Sequence, residues 1–238
     1  MSIGIVIQCR TGSTRFPRKA FEPLNGRNSV QRILAGCSKT VYPHKVILAV
    51  PKEDAGEFTL KVPYYDYDQR FNLFVGPGES SNLVDRYYQT MRTHQLDVCV
   101  RLTADCPMIE GYSWGIDEIL EEYLKVGTGY MCNNSLVAPS PYPMGLDVEV
   151  FTYEMLCWAK RHAQTKSELE HCCPVFYSGL SPFPTLPFNN LKPHTQVSTR
   201  IHRFDFDTTE DYQLLWKLTA AFDRTQDLNA AIEEVSKC

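Results

Sequence analysis

The first nineteen residues constrain this chain most. The apolar run Ile3-Gly4-Ile5-Val6-Ile7 leads directly into Gln8-Cys9-Arg10-Thr11-Gly12-Ser13-Thr14-Arg15-Phe16-Pro17-Arg18-Lys19. A short branched apolar run bounded by polar residues reads as a buried strand. The loop after it carries four cations in ten residues, beside small residues. A cationic loop at the carboxyl end of a first strand is where an α/β protein holds a polyphosphate. Arg10, Arg15 and Lys19 would neutralise a triphosphate, and Gly12, Ser13 and Thr14 would let backbone N–H groups approach its oxygens. The P-loop spacing G-x-x-x-x-G-K-[ST] is absent. The alternative is a solvated basic turn.

This basic loop sits in a chain of formal net charge -4. That balance argues against a general nucleic-acid binder, which would show a basic face. The 238 residues fit one α/β domain with room for a small appendage. No apolar run approaches the ~20 residues that span a bilayer, and the N-terminus lacks a secretion-signal pattern. Nine cysteines are scattered without a C-x-x-C pair, which argues for reduced thiols in a cytoplasmic setting and against a zinc site.

The first half alternates strand and helix patterns. Strands are expected at 3–8, 45–50, 72–75 and 97–102, and helices at 29–40, 81–94 and 113–125. That order argues for a largely parallel, covered sheet. Further strands are expected at 129–132, 146–151 and 200–206, with helices at 152–163, 208–222 and 226–236. Five prolines exclude a long helix from 174–199. The tyrosine-rich stretch 61–71 supports no assignment.

Three more constellations carry chemistry. In Arg101-Leu102-Thr103-Ala104-Asp105-Cys106-Pro107 a buried strand ends in a lone acid, placed either to hold a metal over the sheet or to cap a turn. In Arg203-Phe204-Asp205-Phe206-Asp207-Thr208-Thr209-Glu210 two acids alternate with aromatics, so both fall on one strand face. Asp207 is also an expected N-cap, with Glu210 at the capping-box position. In Gly145-Leu146-Asp147-Val148-Glu149 two acids again share a face beside a glycine turn, and Glu170-His171 follows later. These acids either meet substrate hydroxyls or a metal, or form the polar side of an edge strand.

In this order the segments resemble the SpsF-like spore-coat-polysaccharide cytidylyltransferases, relatives of the acylneuraminate and KDO cytidylyltransferases. That family's Q-A-R-x-x-S-T-R-L-P-x-K matches residues 8–19, D-V-L-D-R-Y-Y matches 82–88, and V-R-x-T-x-D-C-P matches 100–107. G-L-D-V-E-V-F matches 145–151, E-H-x-x-P matches Glu170, His171 and Pro174, and V-D-T-x-E-D-[FY] matches 206–212. The resemblance implies a single GT-A-like, Rossmann-related α/β domain over 1–238, with an irregular acceptor or dimerisation part at about 133–200. It implies CMP transfer from CTP to a small sugar-like acceptor, with Mg²⁺ as cofactor and a homodimer as the assembly. Gln8, Arg10, Gly12, Ser13, Thr14, Arg15, Lys19, Arg101 and Thr103 would face the nucleotide. Asp105 and Asp207 would ligate Mg²⁺, and Asn133, Asp147, Glu149 and His171 would face the acceptor. Arg15, Lys19, Asp105 and Asp207 would carry catalysis. Two departures stand out: Arg18 replaces the glycine usual before the loop lysine, and 55–75 lacks the family's usual helix. The rival classes are a GT-A glycosyltransferase, with Asp66-Tyr67-Asp68 as its D-x-D, and a non-catalytic nucleotide-binding protein.

Overall fold

The computed structural model describes residues 1–13, 15–62, 71–76, 81–134, 137–189 and 197–237. Strand β1 (Ile3–Gln8) is followed by a two-residue hairpin, β2 (Pro23–Leu24) and β3 (Arg27–Asn28), and by α1 (Ser29–Cys37). Then come β4 (Lys45–Pro51), α2 (Ala55–Lys61), β5 (Phe71–Gly76), α3 (Leu83–His94), β6 (Val98–Thr103) and α4 (Ser113–Val126). The second half holds β7 (Tyr130–Cys132), β8 (Glu149–Thr152), α5 (Tyr153–His162), α6 (Lys166–His171), β9 (Thr185–Pro187), α7 (Thr209–Thr225) and α8 (Leu228–Val235).

Among the described residues, seven strands form one sheet in the order β5-β4-β1-β6-β8-β7-β9. The pairs β5–β4, β4–β1, β1–β6 and β7–β9 are parallel, and β8 runs antiparallel to both β6 and β7. The chain steps outward from β1 to β4 and β5, then returns across β1 to lay down β6. The strand order therefore reverses between β1 and β6, where the loops leaving their carboxyl ends diverge and open a crevice. In register, Gln8 lies beside Thr103 at the lip of that crevice.

Helices cover both faces, which is why the central strands read as continuous apolar runs. Ile5, Ile7, Val46, Leu48, Val100 and Leu102 pack with Ile33, Ile116, Leu120, Leu218 and Ile232 on one side. Val6, Ile47, Ala49 and Cys99 pack with Val84, Tyr87, Met91 and Met155 on the other. Eight described cysteines are free, and seven of them are buried, where a thiol packs as a small apolar group. Among the described residues no helix is long and apolar enough to cross a membrane.

Three expectations shift. The strand expected at 200–206 is reduced to one parallel bridge, Met144 with Arg203. The strand expected from 146 begins at Glu149, because a side chain serves the preceding backbone. The Asn133 amide donates to the Leu146 carbonyl at 2.9 Å and accepts from the Val148 N–H at 2.8 Å. Helix α7 is capped by Thr208 with Asp211 closing the box, one residue later than expected. The Asp207 carboxylate is thereby released from capping. Helix α2 lies within 55–75, a stretch expected to lack a helix, and α6 was not expected, although Thr165 and Glu168 form a capping box before it. Most of 61–71 lies outside the described residues.

One buried guanidinium ties together the segments that surround the crevice. Arg32, on α1, is fully buried. Its Nε and Nη2 donate to the Leu24 carbonyl at 3.0 and 2.7 Å, and its Nη1 and Nη2 reach Glu110 at 2.7 Å and Asp223 at 2.6 Å. Burial opposes the charge, but Asp223 and Glu110 more than offset it. Leu24 follows the basic loop, Glu110 follows Asp105, and Asp223 lies on the helix that begins after Asp207. Removing one member of such a network strands buried charge. Arg32→Met is therefore expected to cost about 3–5 kcal/mol in urea unfolding; a loss below about 1 kcal/mol would place the network's worth in the range of exposed ion pairs.

Candidate active site

A cleft of about 650 Å³ opens at the carboxyl ends of β1 and β6. Its near wall is the basic loop, which is tightly held. Asp54 accepts from the Thr11 N–H at 2.7 Å and from the Thr11 hydroxyl at 2.5 Å. The Thr11 carbonyl in turn accepts from the N–H groups of Ser13 and Arg18, each at 3.0 Å. The Ser13 N–H thus closes the loop on itself instead of pointing at a ligand. Arg18 adopts the left-handed conformation, φ 61° and ψ 21°. The glycine that the family resemblance implies at this position would suit that conformation, since a side chain costs roughly 1–2 kcal/mol in this region. Its guanidinium pairs with Glu57 on α2, away from the cleft.

Lys19 projects into the cleft and joins its two carboxylate walls. Its Nζ donates to Asp105 at 2.5 Å, to Asp207 at 2.8 Å and to the Phe206 carbonyl at 3.1 Å. Arg15 meets the other Asp207 oxygen at 2.9 Å, and Arg203 donates to Asp205 at 2.9 and 3.0 Å and to Asp207 at 3.1 Å. Burial pushes the Lys19 ammonium down, but Asp105 and Asp207 outweigh it and hold the group above its ordinary range. Burial likewise pushes Asp105 up, and Lys19 more than reverses this, leaving the carboxyl below its ordinary range.

The floor is a bonded polar layer. Arg101 and Glu149 are opposed in register across β6 and β8 and form a buried ion pair. Arg101 Nε donates to Gln8 at 3.1 Å, the Tyr87 hydroxyl donates to the same Gln8 oxygen at 3.3 Å, and the Tyr130 hydroxyl donates to Glu149. On the far wall stand Glu170 and His171 of α6, with Pro174 and Tyr177 beyond. Arg10 spans the mouth, 3.4 Å from Glu170.

Asp147 and Asp205 share a side wall because two backbone segments touch. Gly145 has φ +88°, and a Cβ there would lie 2.3 Å from the Asp205 nitrogen, so only glycine permits the contact. Asp147 accepts from the Gly145 N–H at 3.0 Å. Burial, reinforced by the Asp205 and Asp105 charges, nevertheless raises its carboxyl above the usual range.

Of the residues singled out in the sequence, Gln8, Arg10, Ser13, Arg15, Lys19, Arg101, Thr103, Asp105, Asp147, Glu149, His171 and Asp207 all line this cleft. Gly12 and Asn133 do not; Asn133 is buried beneath the wall as the brace described above, and its neighbour Asn134 lines the cleft instead. Thr14 lies outside the described residues, as does Asp66-Tyr67-Asp68. Arg86 was given no site role, and Asp205 was expected only to share a face with Asp207; both line the cleft. Arg86 is a buried cation on α3 that lines the cleft. Its signal was a charged residue among the apolar positions Leu83, Val84 and Tyr87.

No three His, Cys, Asp or Glu side chains among the described residues form a metal-holding group. Asp105 and Asp207 do converge on a single cation, the Lys19 ammonium, with a backbone carbonyl beside them. Two carboxylates and a carbonyl are hard oxygen donors of the kind Mg²⁺ accepts when phosphates and water complete its shell. The residues present therefore fit such an ion.

A crevice at the switch point of a mostly parallel sheet, where a cationic loop meets carboxylates, is where open α/β folds bind their ligands. Residues 4–235 match the cytidylyltransferase family, to which this chain belongs. The Bacillus subtilis spore coat polysaccharide biosynthesis protein SpsF is 20% identical over 230 residues, covering 95% of this chain and 90% of that protein. A cytidylyltransferase structure from Leptospira borgpetersenii superposes with a TM-score of 0.81 at 23% identity, covering 100% of this chain and 93% of its own. The structure of CMP:2-keto-3-deoxy-manno-octonic acid synthetase complexed with CTP superposes with a TM-score of 0.60 at 15% identity, covering 92% and 99%. At these identities the two structures establish the fold.

A carboxyl whose folded-state value is raised disfavours folding once pH exceeds its unfolded value, about 3.9. Asp147→Asn is therefore expected to raise the thermal midpoint at pH 7, with the gain fading as pH falls through about 4 and gone by about pH 3, where both states are protonated. A scan showing equal gains at both pH values would assign the effect to packing instead.

Proposed function

We propose that the protein transfers CMP from CTP to a small sugar-like acceptor and releases pyrophosphate. The observation that carries this reading is the convergence of the basic loop and two carboxylates, Asp105 and Asp207, on one point of the switch-point crevice. Membership of the cytidylyltransferase family supports CTP as the donor, as does the CTP complex of the KDO-type synthetase. The SpsF relative supports a product destined for surface polysaccharide.

In this reading Arg10, Arg15 and Lys19 hold the triphosphate, with Arg86 beside them. Gln8, Arg101 and Thr103 form the floor under the nucleotide. Asp105 and Asp207 hold Mg²⁺, which supplies charge neutralisation at the reacting phosphate. An acceptor oxygen attacks the α-phosphorus in line; its bond to phosphorus forms as the bond to the β-phosphate oxygen breaks. Catalysis is then mainly positioning and charge stabilisation. Arg15 and Lys19 stabilise the charge that accumulates on departing pyrophosphate. Asp147 and His171, with Asp205 and Asn134 nearby, face the acceptor. Glu149 is committed to Arg101 and Tyr130 and shapes the floor.

The reading is tested by pyrophosphate release from CTP and Mg²⁺ across a panel of sugar acids and sugar phosphates. Acceptor-dependent release is expected. Release of free nucleoside diphosphate from a nucleotide-sugar donor would instead indicate a glycosyltransferase, and tight CTP binding without turnover on any acceptor a binding protein.

Arg15→Ala is expected to weaken CTP by about 1.5–3 kcal/mol while CMP changes little, because charged hydrogen bonds to the outer phosphates are lost. Equal weakening of both in a calorimetric titration would move Arg15 to the base or ribose.

A further inference from the structure

The three oxygens around Lys19 Nζ come from separate groups: a carboxylate after β6, a carboxylate before α7, and the carbonyl of Phe206. Together they make a hard-oxygen pocket around a cation. That cation is the chain's own ammonium, and the Lys19 side chain is only 16% exposed. The same lysine belongs to the loop that would hold the triphosphate. It cannot serve both positions at once. We propose that Lys19 is an internal stand-in for the divalent cation: without nucleotide it fills the metal position between Asp105 and Asp207, and the triphosphate draws it away so that the metal can enter.

Charge explains why the two events are linked. Asp105 and Asp207 carry two negative charges, already met by Lys19 and, at the opposite Asp207 oxygen, by Arg15 and Arg203. A divalent ion entering beside Lys19 would face like charge at ion-pair distance in a site poorly reached by water. Conversely, moving Lys19 onto phosphate alone would take from Asp105 the cation that meets it and leave Asp207 to Arg15 and Arg203, which is costly for a partly buried carboxylate. Exchanging the two cations together avoids both costs. The lysine stem is long and flexible, while Asp54 anchors Thr11 and fixes the loop backbone. The exchange is therefore a side-chain swing on a held loop. Nucleotide and metal become thermodynamically coupled, each raising the other's affinity by the same factor.

This inference rests on the nucleotidyl-transfer reading only for its second half, and the experiment separates the halves. Mn²⁺ binding is followed by electron paramagnetic resonance of the free ion, on the full chain, without nucleotide. Lys19→Met is expected to bind Mn²⁺ about tenfold or more tightly than the parent, a size usual for coupled sites. Adding Asp105→Asn to Lys19→Met should abolish that gain. Should Lys19→Met fail to fold by circular dichroism, Lys19→Gln, which retains a polar contact, takes its place. No gain on neutralising Lys19, or a gain that survives Asp105→Asn, overturns the stand-in role. In the second arm CTP is added: it should tighten Mn²⁺ binding in the parent more than in the Lys19 variant. Equal tightening overturns the exchange. Calorimetry showing no CTP binding to the parent, with or without Mn²⁺, overturns the nucleotide reading while the first arm still decides what Lys19 occupies.

Discussion

Because the strand order reverses between β1 and β6, the loops after those strands must part, and the cleft is the space they leave. The loop from β1 crosses to the hairpin and α1, and the segment after β6 turns under α1 through the Pro107–Gly111 turn. Arg32 then binds both to α7 by hydrogen bonds to Leu24, Glu110 and Asp223. A buried guanidinium is well suited to this task, since its planar fork satisfies several acceptors at fixed angles. Lys19, Asp105 and Asp207 meet because their supporting segments are held at one point below them.

The cleft holds its charge at a cost to the fold. Asp147 is raised by burial beside two other carboxylates, while Asp105 is lowered by Lys19. Two acids a short way apart are thus pushed in opposite directions by their neighbours. Such opposed shifts in a cleft are typical of functional sites. The Arg101–Glu149 pair beneath them differs in kind. It is fully bonded to Gln8, Tyr130 and each other, and it acts as a rigid polar floor. The left-handed Arg18 shows the same tolerance of strain in the loop itself.

Much of this was legible from residue order. The strands β1, β4, β5 and β6 announced themselves as branched apolar runs, and their alternation with helices implied the parallel half of the sheet. Twelve of the expected site residues line one cleft. Two expectations failed because of what a single side chain bonds to. Asn133 bonds the 146–148 backbone and delays β8, so a residue expected to face the acceptor is structural. Thr208 outcompetes Asp207 as the cap of α7, a choice that local spacing leaves open because both Asp207 and Thr208 are followed three residues later by an acid.

By itself the sequence determined the periodicities, the glycine and proline punctuation, and the cationic loop, since these depend on residue types at short separations. It also supplied the motif order that marks the family. Only the tertiary structure decided which charges meet. Lys19 and Asp105 are 86 residues apart, and Lys19 and Asp207 are 188 apart; nothing local couples them. Their contact follows from strand pairing at the switch point and from the Arg32 network. The opening loop reads as a basic turn or a phosphate site until those two carboxylates are brought against it.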